Sequence, residues 1–148
     1  MALIKNQTGF SFIELMAVVA IVGILAAIAY PSYVKSVQKS NRTDAKTELA
    51  DLSQRLQRCF TANGTYATAV GVCTVKDELI NANGVVTRGK FYVVKASNVA
   101  ATSYTLTATP AVDSVQGKDK ECASFVLDHK GKKSAKNSNA ADTTDACW

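Results

Sequence analysis

The stretch from Phe10 to Tyr30, FSFIELMAVVAIVGILAAIAY, runs for 21 residues, of which only Ser11 and Glu14 are polar. As a helix it measures about 32 Å at 1.5 Å per residue, enough to cross a bilayer. A chain of 148 residues that commits this segment to lipid keeps roughly 118 for a folded head, so its core is small and its domain single. The carboxylate is the anomaly. A charge near the bilayer centre costs about 2.5–3.5 kcal/mol on insertion scales and less near an end, so Glu14 asks for a partner. A secretory signal peptide would also show a basic start at Lys5, an apolar centre and a small-residue cleavage site, here Ala27 to Ala29. Against that reading, the polar leader MALIKNQTG ends in Gly9 directly before the apolar run, and a carboxylate is a costly choice in a segment to be discarded.

On these residues the chain resembles the type IV pilins: GFSFIELMAVVAIVGILAAIAYP is similar to their processing site and N-terminal helix. The resemblance implies cleavage by a prepilin peptidase between Gly9 and Phe10, N-methylation of Phe10, and residues 1–9 as a leader that is removed. It implies residues 10–31 as a hydrophobic helix, first in the membrane and then in the filament core, with Glu14 pairing the Phe10 amine of a neighbouring subunit. The physical chemistry agrees. A carboxylate in the first turn faces the positive end of its own helix dipole, and Gly9 has no side chain to obstruct a peptidase. Gly23 and Pro31 are weak points, because Pro31 lacks a donor and crowds the carbonyl of Ala27. The segment between them is therefore a place for a kink or unwinding, as the resemblance also implies for assembled filaments.

Beyond Pro31 the spacing predicts that the helix continues. Val34, Val37, Asn41, Ala45, Leu49, Leu52, Leu56 and Phe60 form a mainly apolar stripe, while Lys35, Lys39, Arg42, Lys46, Asp51, Arg55 and Arg58 supply polar faces. Asn63 and Gly64 signal the stop, so residues 32–62 form the amphipathic second half of a helix about 80 Å long. Residues 63–148 then read as a long loop followed by strands. SYTLTATP alternates cleanly, KFYVVKA and CASFVLD are rich in β-formers, and DHKGKK turns into a short fourth strand. The fold class is α+β: a long helix, half of it transmembrane, packed on a small antiparallel sheet with a C-terminal disulfide loop.

Four cysteines with no C-x-x-C spacing, and one histidine in the whole chain, exclude the usual zinc and redox motifs. An even count downstream of a membrane segment reads as two disulfides in an oxidising compartment. Three pairings are open, and the short-range set, Cys59–Cys73 and Cys122–Cys147, is favoured. The pilin resemblance implies a C-terminal bridge, and Cys59 with Cys73 departs from its common single-disulfide pattern. RCFTANGTY, YTLTATP and the CASFVLD to CW loop are similar to minor pilins of the PilE kind.

No P-loop, nucleophile elbow, zincin or EF-hand signature is present, so neither an enzyme nor a metal or cofactor is indicated. His129 reads as a solvated turn residue, and Asp142 and Asp145 as ordinary loop polarity. Lys118, Lys120, Lys130, Lys132, Lys133 and Lys136 crowd one stretch of a chain of formal net charge +5. A solvated face tempered by Asp119, Glu121 and Asp128 is the plainer reading, and DNA phosphates held by Lys130, Lys132, Lys133 and Lys136 the sharper one.

The sequence therefore points to a structural subunit of a type IV pilus, most like a minor pilin in filament assembly or priming, serving twitching motility, adhesion or DNA uptake. The alternatives are a major pilin, a DNA-binding tip protein and a type II secretion pseudopilin. The partners implied are other pilin subunits, prepilin peptidase, an inner-membrane assembly platform and, before assembly, the lipid bilayer. The head would lie in the periplasm and later on the extracellular filament.

Overall fold

A computed structural model describes residues 11–148. The chain divides into two compact units after Val37, with one helix, α1 (Phe12–Asn63), contributing residues to both. In the first unit the helix is long and apolar enough to cross a membrane, and nothing in its most apolar stretch is buried. Its side chains therefore lack the packing that would hold such a surface in water.

The second unit is built on a sheet of five strands, β1 (Val85–Val86), β2 (Tyr92–Ser97), β3 (Thr105–Pro110), β4 (Ser124–Asp128) and β5 (Lys133–Lys136). They lie in sequence order and are antiparallel throughout. Register aligns Val94, Ala108, Phe125 and Ala135 across the strands, and all four are fully buried. The period of two that predicts the strands thus sets one apolar face, leaving Thr105, Thr107 and Thr109 on the other. From α1, Ala45, Leu49, Leu52 and Leu56 recur at spacings of three and four and join the same core. Burial of each leucine contributes about 1.5–3 kcal/mol relative to exposure. Ser53 and Tyr104 satisfy each other inside it through a 2.9 Å hydroxyl–hydroxyl hydrogen bond.

The helix ends where the sequence signals. The Gly64 N–H donates to the carbonyl of Phe60 at 2.7 Å, and Gly64 takes the left-handed φ of 71° that favours glycine in this position. Beyond it the expected plain loop is corrected, because it contains α2 (Thr74–Ile80) and strand β1. Seven residues make no stable helix alone. Here Val75 and Leu79 are buried in the core, and Cys73, immediately before α2, is bonded to Cys59 with their Cα atoms 6.0 Å apart. Gly84 joins α2 to β1 with φ 65°, and a Cβ there would stand 2.6 Å from the carbonyl oxygen of Val94, so only glycine fits. The closing loop ends in a further turn of helix, α3 (Thr144–Cys147). Cys147 is bonded to Cys122 at a Cα separation of 5.8 Å.

Candidate functional site

Gly9 and Phe10, the expected processing site, lie outside the described residues. Glu14 lies in the first turn of α1, and its Oε2 accepts a 2.9 Å hydrogen bond from the backbone N–H of Ser11. This is the reciprocal half of a capping box, written in the sequence as Ser-x-x-Glu over residues 11–14. That motif gives Glu14 a role within its own chain, which the reading from dipole and neighbouring amine missed. Through Gly23 and Pro31 the helix is unbroken from Phe12 to Asn63, and the unwinding expected there concerns the assembled filament. A proline forfeits one backbone hydrogen bond, and the rest of the ladder carries the helix through.

Arg42, assigned by periodicity to a polar face, is buried, with 7% exposure. Its Nε and Nη2 donate to the two carboxylate oxygens of Asp119 at 2.7 and 3.0 Å, and Nη2 also donates to Glu121 at 2.8 Å. Burial works against the guanidinium charge, but the hydrogen bonds and charges of Asp119 and Glu121 outweigh it and raise its pKa. Asp119 Oδ1 accepts in addition the N–H groups of Glu121 and Cys122. The β3–β4 connection is thereby tied to the helix, helped by Gln116. The Gln116 amide donates to the carbonyl of Gln38 and to the Tyr92 hydroxyl. Asp119, Glu121 and Cys122 cluster closely enough to suggest a cation, yet Arg42 holds both carboxylates and Cys122 is in a disulfide. Asp142 is likewise engaged, accepting from the N–H and hydroxyl of Thr144. The ring of His129 rests against Tyr104, with centroids 6.4 Å apart.

The four lysines singled out for DNA do not form one patch. Lys130 and Lys132 are exposed in the β4–β5 turn, whose backbone is shaped by Asp128: its Oδ1 accepts the N–H of Lys130 at 2.9 Å and of Lys132 at 2.8 Å. Burial opposes ionisation of that carboxyl, and the two backbone bonds prevail to hold it below its ordinary pKa. Lys136 pairs with Ser124 on the outer face of the sheet and bridges to Asp142. Lys133 pairs with Leu127 and belongs to the opposite face, where its Nζ lies 5.1 Å from the ring centroid of Trp148. Alternation along β5 separates Lys133 from Lys136 as firmly as it separates core from solvent. Asp128 and Asp142 share one depression with Lys132 and with part of Lys133 and temper the field there.

Comparison with known proteins follows this geometry closely. A family profile described as prokaryotic N-terminal methylation motif matches residues 4–30. A second, described as type IV minor pilin ComP, DNA uptake sequence receptor, matches residues 31–126. Among solved structures, the selenomethionine crystal structure of the non-core minor pilin PilV of Neisseria meningitidis superposes with a TM-score of 0.55. The two are 21% identical, with 72% of this chain and 93% of that one covered, a likeness of fold alone. No curated protein sequence matches significantly. The methylation motif, the apolar helix and a head profile that takes in the α1 face and the strands up to β4 agree on one conclusion: the chain is a type IV minor pilin of the ComP family.

Proposed function

We propose that the head of this minor pilin binds duplex DNA at the surface of a type IV pilus and thereby serves DNA uptake. The observation that carries the reading is the match over residues 31–126 to a family described as a DNA uptake sequence receptor. The exposed lysines of the β4–β5 turn and of β5 supply the phosphate-binding charge such a role needs. In the alanine triple variant of Lys130, Lys132 and Lys136, DNA affinity falls and the slope of log affinity against log salt decreases by about 0.9 for each phosphate that is no longer neutralised. Uptake falls with it, while pilus number holds. Unchanged affinity and uptake in that variant would overturn the reading.

The family also favours a minor subunit over a major pilin or a secretion pseudopilin. The precursor is held in the inner membrane with its head in the periplasm. Prepilin peptidase cuts between Gly9 and Phe10 and methylates Phe10, and an assembly platform passes the subunit to its neighbours. In the filament Glu14 exchanges its capping bond to Ser11 for the Phe10 amine of another subunit, and Gly23 and Pro31 let the helix loosen there. Glu14→Ala removes a charge disfavoured in lipid, so membrane levels hold. It also leaves a buried amine unpaired, a defect of about 3–5 kcal/mol, so the subunit is lost from sheared pili. Normal incorporation of this variant would end Glu14's assembly role.

A further inference from the structure

The edge of the head beside β5 carries a second cationic surface, assembled from parts far apart in sequence. Lys133 stands over the ring of Trp148, and that ring is fixed in place. Its Nε1 donates to the carbonyl of Ser134 at 2.8 Å, and it meets Phe125 edge to face with centroids 5.9 Å apart. From α1, Lys46 donates to the backbone oxygen of Trp148 at 3.2 Å and lies 6.0 Å from the centroid of Phe125. Lys39 is two turns earlier on the same helix. Burial lowers the pKa of Lys46, and so do Arg42, Lys133 and Lys39, each a cation within electrostatic reach of Lys46.

Arg42 is neutralised by Asp119 and Glu121. Among the described residues, by contrast, Lys39 and Lys133 have no carboxylate within ion-pair distance, and Lys46 is engaged only by the oxygen of Trp148. Three ammonium groups beside a half-buried, pre-oriented indole suit the backbone of a DNA duplex, whose phosphates attract the cations and whose sugars offer an apolar edge to the ring.

We infer that Lys39, Lys46, Lys133 and Trp148 form a second DNA contact, in which phosphates take the three ammonium groups and a sugar edge of the backbone replaces Lys133 on the indole. The inference rests on the DNA-binding reading above and adds to it a face of β5 opposite the one that carries Lys136. Because the contact uses charge and ring surface, it is indifferent to base sequence.

Trp148 is the chain's single tryptophan, so its fluorescence reports this edge alone. The full chain in detergent micelles is titrated with a short fluorescently labelled DNA duplex, and indole emission is followed beside the anisotropy of the label. The expected result is a change in indole emission with the same midpoint as binding. In Lys46→Ala/Lys133→Ala the salt slope then decreases by about 2, at about 0.9 per phosphate. Lys46 also holds the Trp148 backbone, so Lys133→Ala alone, with its unfolding midpoint checked against the parent, provides a second variant whose slope decreases by about 1. Binding with unchanged indole emission and unchanged slopes in both variants overturns this contact and leaves the hairpin lysines as the DNA site. Absence of any binding to duplex by the parent chain overturns both readings.

Discussion

Residues 12–33 and residues 42–56 belong to one helix, and they solve opposite problems with the same backbone. Leu25 in the first stretch is 61% exposed, whereas Leu49 in the second is fully buried. The first stretch is apolar around its whole circumference, as a helix in lipid must be. The second is apolar on one stripe, because a sheet covers only one side. Helical geometry is common to both, so it is side-chain distribution that tells the solvent of each.

That contrast predicts where substitution matters. The largest effect belongs to the covered stripe and its sheet partner: Phe125→Ala costs up to about 5 kcal/mol of head stability through reduced burial and a residual cavity. Leu25→Ala leaves denaturant unfolding of the head unchanged. Equal losses from the two substitutions would erase the distinction.

Next comes Arg42, which sits at the start of the buried stripe. Arg42→Ala leaves Asp119 buried without its cation and costs about 3 kcal/mol, read as a lower unfolding midpoint. Lys39→Ala, one turn away and without an ion-pair partner among the described residues, changes it little.

The smallest effect sharpens the boundary between stripe and solvent. Glu48 adjoins the buried stripe, and its carboxyl is held above the ordinary value by burial first and then by Asp51 and Asp44, with Arg88 and Arg55 opposing. A carboxyl whose pKa is raised by folding adds stability as pH falls, so its charged form is a slight burden at neutral pH. Glu48→Gln should therefore raise the midpoint at pH 7 by no more than about 0.5 kcal/mol. The gain should disappear near about pH 4, where the parent carboxyl is itself protonated. A gain that persists there would assign it to packing instead.

Much of this molecule is written in local pattern. The apolar run, the stripe through Leu49 and Leu56, the Asn63–Gly64 stop and the alternation in β3 each depend on residues within a few positions of one another. Helix α2 and strand β1 were not legible, because seven and two residues carry no period of their own and are held by Cys73, Val75 and Leu79 in the core. Arg42 was misassigned for a related reason. Its partners Asp119 and Glu121 lie more than seventy positions away, and no helical period announces a distant carboxylate.

The lysines show the same divide at the functional surface. Sequence alone determined that this chain has a membrane-length helix, an amphipathic continuation, a sheet-forming head and a crowding of lysines between residues 118 and 136, since hydrophobic period and composition are properties of neighbouring residues. Only the tertiary structure decided which cations act together. Strand alternation turns Lys133 away from Lys136, and the packing of α1 on the sheet brings Lys46 and Trp148 to Lys133. Charges interact through space, over distances that the chain closes only by folding.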